Sequence, residues 1–148
     1  MKTESSSFSQ TGEKLKIAIL LPRFNDSITK KVLAETEKEL LRSKVKKQNI
    51  KIFNIPGALE LPFAAKKIAK SKKFHAIIAL GVVLEGGTDH YEHVCRETYN
   101  GLMQMNLTEK IPTIFGVLTV KNIAQAEERI SKGKDFAQAA IEMALLKI

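Results

Sequence analysis

The segment from Gly81 to His90 holds the densest chemistry of the chain. Gly86, Gly87 and Thr88 lead straight into residues with helical spacing. A helix N-terminus offers free backbone N–H groups and the positive end of its dipole, which suits phosphate. His90 falls in the first turn of that helix, and imidazole is the side chain suited to moving protons near neutral pH. A lone histidine is usually structural, but beside an anion cradle the catalytic reading weighs as much. His93 raises metal binding, yet no third ligand accompanies it and no metal is expected. His75 precedes a strand at the opposite end of the sheet, and no function is expected of it.

Three further segments could share the work. Arg23-Phe24-Asn25 sets an aromatic beside a helix start, where it could stack on a planar heterocycle, although such a ring more often only packs. In Ile55-Pro56-Gly57-Ala58-Leu59-Glu60-Leu61-Pro62 the glycine permits close backbone approach, and Glu60 offers a carboxylate to hydroxyl or amine groups. Its bland reading is a capping Glu in a turn built by two prolines. Phe115-Gly116 supplies another aromatic and glycine, and Arg129 lies on the helix that follows. An arginine fork matches phosphate geometry, while the alternative is a surface ion pair with Glu127 or Glu128. Taken alone, these residues imply a phosphate-bearing small molecule, a stacked ring and an acid/base histidine, and no more.

The elements that must position them alternate. Ile17 to Leu21, stopped by Pro22, reads as a strand buried on both faces. Asn25, Asp26 and Ser27 are good N-caps for a helix carrying Ile28, Val32, Leu33, Thr36 and Leu40 on one stripe. Ile50 to Ile55 predicts a second strand, and Leu61 to Lys72 a helix with Pro62 in its first turn. Ala76 to Val83 predicts the third strand, with Tyr91, Val94, Cys95, Leu102 and Met105 on the following helix. Ile111 to Leu118 gives the fourth. Asn122-x-x-Gln125 resembles a capping box opening a helix over Ile123 to Ile130, and a last helix begins near Phe136. This alternation predicts an α/β fold, a three-layer α/β/α sandwich around a four-stranded parallel sheet. Ligands of such sheets bind beyond the carboxyl ends of the strands, where the four loops above lie.

Composition narrows the class further. A chain of 148 residues with 44% hydrophobic and 27% charged residues suits one folded domain, expected over residues 15–148 behind a flexible Ser-rich tail at 1–14. Its apolar runs are too short to cross a membrane, and a single cysteine, Cys95, fits a reducing cytoplasm. The net charge of +8 raises nucleic acid as a partner. The lysines, however, are dispersed through the sequence with few aromatics between them, so a solvated basic surface that attracts small anions is the favoured reading.

Five segments in order resemble the lumazine synthase family. They are Arg23-Phe24-Asn25-Asp26, Pro56 to Pro62, Gly86-Gly87-Thr88-Asp89-His90-Tyr91, Pro112 to Thr119, and Gln125-Ala126-x-x-Arg129. The resemblance covers nearly all of the chain beyond Leu15. It implies a flavodoxin-like sheet and a cofactor-free condensation of 5-amino-6-ribitylaminouracil with a dihydroxybutanone phosphate, releasing phosphate and water. By the same resemblance, Phe24 stacks on the pyrimidine, and Ala58, Leu59 and Glu60 hold the ribityl chain. Val82, Val83 and Leu84 line the ring pocket, while Gly87, Thr88 and Arg129 bind phosphate. His90 shuttles protons, Phe115 comes from an adjacent subunit, and Asn25 and Lys132 are further candidates. The implied partner is a second copy of the chain, in a pentamer, a decamer of two pentamers or a shell of twelve.

Two departures stand out. Glu85 replaces an arginine found in many members beside the phosphate loop, and Ser131 to Asp135 is a short connection where the family has a glycine-rich one. The rival readings are a riboflavin synthase of the same fold, a flavodoxin-like module or receiver domain, and a non-catalytic lumazine- or flavin-binding protein. Arg23-Phe24 stands where a receiver needs acids.

Overall fold

The structure, a computed structural model, describes residues 8–148. Four parallel strands, β1 (Ile17–Pro22), β2 (Ile50–Ile55), β3 (Ala76–Leu84) and β4 (Thr113–Val120), form one sheet in the order β2-β1-β3-β4. Among the described residues five α-helices connect and cover them: α1 (Asp26–Arg42), α2 (Leu61–Lys70), α3 (His90–Thr108), α4 (Ile123–Glu127) and α5 (Lys132–Ala144). The alternation of strand side chains sorts the core into two layers. Ile17, Ile19, Leu21, Ile78 and Leu80 pack with Val32, Leu40, Ala137 and Ile141 of α1 and α5. Ala18, Leu20, Ile77, Ala79 and Val117 pack with Leu61, Ala65, Leu102 and Met105 of α2 and α3. Both faces of β1 are therefore dry, which is why its sequence is apolar throughout. Each fully buried Leu or Ile contributes about 2 kcal/mol of burial free energy. The expected α/β/α sandwich is the fold observed.

Close packing of α1 on α5 depends on Gly133. A Cβ there would lie 2.5 Å from the Val32 carbonyl oxygen and 2.9 Å from Thr36 Oγ1. The same seam holds Glu39, almost wholly buried on α1, which accepts from Gln138 Nε2 of α5 at 2.7 Å and from Arg42 Nη2 at 2.7 Å. The Arg42 hydrogen bond holds the Glu39 carboxyl below its ordinary range against the opposing effect of burial, and so supplies the pairing a buried charge needs.

Several boundaries differ from expectation. Helix α2 stops at Lys70 and α4 at Glu127, while α5 begins at Lys132 rather than near Phe136. The short connection of Ser131 to Asp135 is thus mostly helix, with Gly133 chosen for packing against α1. The box at Asn122 is half as expected: Asn122 Oδ1 accepts from Gln125 N–H at 2.9 Å, but Gln125 Oε1 accepts from the N–H of Lys121 at 2.8 Å. Of the expected tail, residues 1–7 lie outside the described residues; Phe8 packs half-buried against the core, and Gly12 N–H donates to Ser43 O at 2.8 Å. Among the described residues no helix is long and apolar enough to cross a membrane.

Candidate functional site

Strand order sets the site. The chain leaves β1 toward β2, crosses back over it to β3 and continues outward to β4, so the connections diverge between β1 and β3. A crevice opens there at the carboxyl ends, the switch point at which doubly wound sheets hold ligands. A cavity of about 440 Å³ occupies it, within the range of small-molecule sites. The segment after β1 contributes Phe24 and Asn25, the turn after β2 contributes Gly57, Ala58, Leu59 and Glu60, and the end of β3 with the start of α3 contributes Val82, Val83, Leu84 and His90.

Local geometry explains each position. Asn25 was expected to cap α1 with its side chain; instead it adopts a left-handed backbone, φ 55°, and its Nδ2 donates to Val82 O at 2.7 Å. One side chain thereby ties β1's exit to β3's end across the crevice. Thr29 Oγ1 donates to the Asn25 carbonyl at 3.0 Å and steadies the turn. Phe24 projects outward, 71% exposed, with its ring edge against Gly57. A Cβ at Gly57 would lie 3.4 Å from that ring and 3.1 Å from Glu60 Oε2, so the glycine leaves room for both side chains at the cavity wall. Such an exposed aromatic beside apolar Leu59, itself 49% exposed, is surface suited to a flat ligand.

The loop after β3 is solvated. Glu85, Gly86, Gly87, Thr88, Asp89 and His90 are all exposed, and Thr88 Oγ1 accepts the His90 N–H at 3.3 Å as α3 begins. His93 stands 3.5 Å from Asp89, the N-cap residue of α3. Tyr91 also lines the cavity and was not among the expected site residues, although it sits beside His90 in the same motif. Burial pushes its phenol above the ordinary range, and the adjacent Cys95 sulfur adds to the shift; a hydrogen bond with Thr119 works the other way. Burial likewise raises the Cys95 thiol. Both groups stay protonated at neutral pH, so Tyr91 presents a neutral hydroxyl. Pro22, Gly81 and Val94 complete the wall; their lining role comes from chain crossing and leaves no mark in their types.

Other expected residues stand apart. Gly87, Thr88, Phe115, Arg129 and Lys132 do not line this cavity. Phe115 pairs with Ala79, three residues before Val82, and so sits about 10 Å below the crevice. Its ring stacks on Tyr99 with centroids 6.0 Å apart. Arg129, expected on the helix after β4, lies in the turn just beyond α4 and reaches back to it: Nη1 donates to Gln125 O at 2.8 Å and lies 3.7 Å from Glu128 Oε2, the ion pair set against its phosphate reading. Lys132 is exposed at the first turn of α5. His75 lies at the amino end, its Nδ1 accepting the Lys16 N–H at 2.9 Å.

A family model described as 6,7-dimethyl-8-ribityllumazine synthase matches residues 14–147. The chain belongs to this family. That match spans all four strands and every loop that builds the cavity, so the lumazine synthase resemblance of the five segments extends across the fold that positions them. The lumazine synthase family consists of transferase-type enzymes of riboflavin biosynthesis.

Proposed function

We propose that this chain condenses 5-amino-6-ribitylaminouracil with a dihydroxybutanone phosphate to give 6,7-dimethyl-8-ribityllumazine, phosphate and water. The observation that carries the reading is the cavity at the β1/β3 crevice, where Phe24, the Gly57–Glu60 turn, Val82 to Leu84 and His90 meet. In this reading the pyrimidine lies against Phe24 between apolar walls, and Glu60 with the Ala58-Leu59 backbone takes the ribityl hydroxyls. The amine of the pyrimidine attacks the butanone carbonyl, a C–N bond forms and water leaves. His90 moves the protons of that step and of phosphate elimination, while Gly87, Thr88 and Arg129 receive the phosphate.

Rate then comes mainly from holding two reactive partners together and stabilising the departing anion, with proton transfer adding about 100-fold. Phe115 and Arg129 lie outside the chain's own cavity, which supports a homo-oligomer in which Phe115 closes a neighbour's site; a pentamer is the assembly proposed, and the cytoplasm the compartment. No nucleic acid, membrane, metal or organic cofactor has a part in this reaction.

The test mixes the purified protein with both substrates and follows the lumazine chromophore and released phosphate against an enzyme-free control. Saturable acceleration of both signals is expected. Tight lumazine binding by folded protein without turnover would replace this reading with that of a binding module, and riboflavin formed from lumazine alone would replace it with a riboflavin synthase.

A further inference from the structure

At the amino end of the sheet, opposite the crevice, lysines scattered in sequence converge. Lys16 precedes β1, Lys51 lies in β2, and Lys72 and Lys73 form the turn between α2 and β3. Together with Gln48, Asn49, Phe74 and His75 they line a concavity of about 680 Å³ that contains no acidic residue. None of the four lysines has an ion-pair partner among the described residues; the nearby Lys70 instead pairs with Glu109 at 3.3 Å. Lys72 holds a left-handed backbone, φ 60°, which a lysine adopts only at a cost. His75 spends Nδ1 on the Lys16 N–H, leaving its Nε2 edge as the remaining polar edge of the ring.

A solvated basic face normally interleaves acids or spreads its charges over a convex surface. Here four solvent-exposed cations share one hollow with two amide side chains, and an anion entering it relieves their mutual repulsion. A single phosphate offers too little charge for four ammonium groups. We propose that this hollow binds an oligophosphate, a chain of two or three phosphate groups, at a site separate from the crevice. The phosphates could be free or form the tail of a nucleotide. Half-buried Phe74 in the lining, packed edge-on to Phe53 with ring centroids 5.9 Å apart, is the surface a nucleotide ring would meet. This site does not depend on the condensation reading.

Isothermal titration of the full, assembled chain with inorganic triphosphate, and separately with ATP, tests it. Saturable binding that weakens steeply with added salt is expected. The double variant Lys51→Gln/Lys73→Gln should bind triphosphate at least about tenfold more weakly, since it loses two charge-assisted contacts. Its thermal unfolding and condensation rate should match the parent, and Arg129→Gln should retain triphosphate binding in full. Equal binding of ATP and triphosphate supports a site that reads phosphates alone; tighter ATP binding supports one that also uses Phe74. The proposal is overturned if triphosphate does not saturate, if Arg129→Gln abolishes binding while the lysine variant keeps it, or if only long RNA binds.

Discussion

The ring half and the phosphate half of the candidate site differ in how they are built. The ring half has most of its wall within one chain: three loops meet at the crevice, and the Asn25 side chain fastens two of them with a 2.7 Å bond to Val82 O. The phosphate half is open. Gly87 and Thr88 are solvated, Arg129 bonds back to α4 from the turn beyond it, and Glu85, Asp89 and Glu92 place acids around the loop proposed to hold an anion. Binding of the flat ring needs walls that strand ends and close turns supply in advance. Binding of the anion depends on long side chains that can swing and on a field a neighbouring chain can complete. The lesson is that pre-organisation here is uneven, and the two halves should respond differently to mutation.

The largest effect is expected from the half that is not yet assembled. Arg129→Ala should lower kcat/KM by about 150-fold, loss of a charge-assisted contact to the departing phosphate costing about 3 kcal/mol. Steady-state kinetics with varied butanone phosphate measures it; an unchanged rate would mean that the bond to Gln125 is the working position of Arg129, and the division into halves would fail. Next, His90→Ala should lower kcat by about 100-fold with little change in KM, leaving an impaired enzyme because proximity remains. Complete loss of turnover in a folded variant that still binds both substrates would give His90 more than proton transfer to do.

Phe24→Ala should raise KM for the pyrimidine about tenfold and leave KM for the butanone phosphate unchanged, since a stacked aromatic is worth about 1 kcal/mol beyond its buried area. Equal changes for both substrates would show the halves to be coupled. The smallest effect sharpens the comparison most. Glu85→Arg reverses a charge beside the phosphate loop and should lower KM for the butanone phosphate by about threefold, an advantage that shrinks as salt is raised. A variant that gains nothing at low salt would remove Glu85 from the field of the site.

Legibility followed the range of the interactions. The five segments and four strands could be read because burial on both faces forces apolar runs, and because loops that leave strand ends carry the chemistry. The role of Asn25 could not be read: its type fits a helix cap, and only the nearness of Val82 explains why the side chain bonds there. Tyr91 was passed over for a similar reason. Its contact with Cys95, four residues on in α3, is local, but its place in the cavity and its contact with Thr119 depend on how α3 lies across β4. The start of α5 at Lys132 was hidden because Gly133 discourages a helix locally, whereas the gain from packing α5 tightly on α1 outweighs about 1 kcal/mol of propensity.

By itself the sequence determined the alternation of elements, three of the loops that build the cavity and the family, since each is written in local periodicity or in ordered motifs. Tertiary structure decided that the connections diverge between β1 and β3, opening the crevice there. It also decided that Phe115 and Arg129 stay out of the chain's own cavity, and that lysines far apart in the chain share one hollow at the opposite end. Periodicity reports which face of an element is buried, but strand order and the meeting of distant side chains are fixed by long-range packing, in which every element settles against all the others at once.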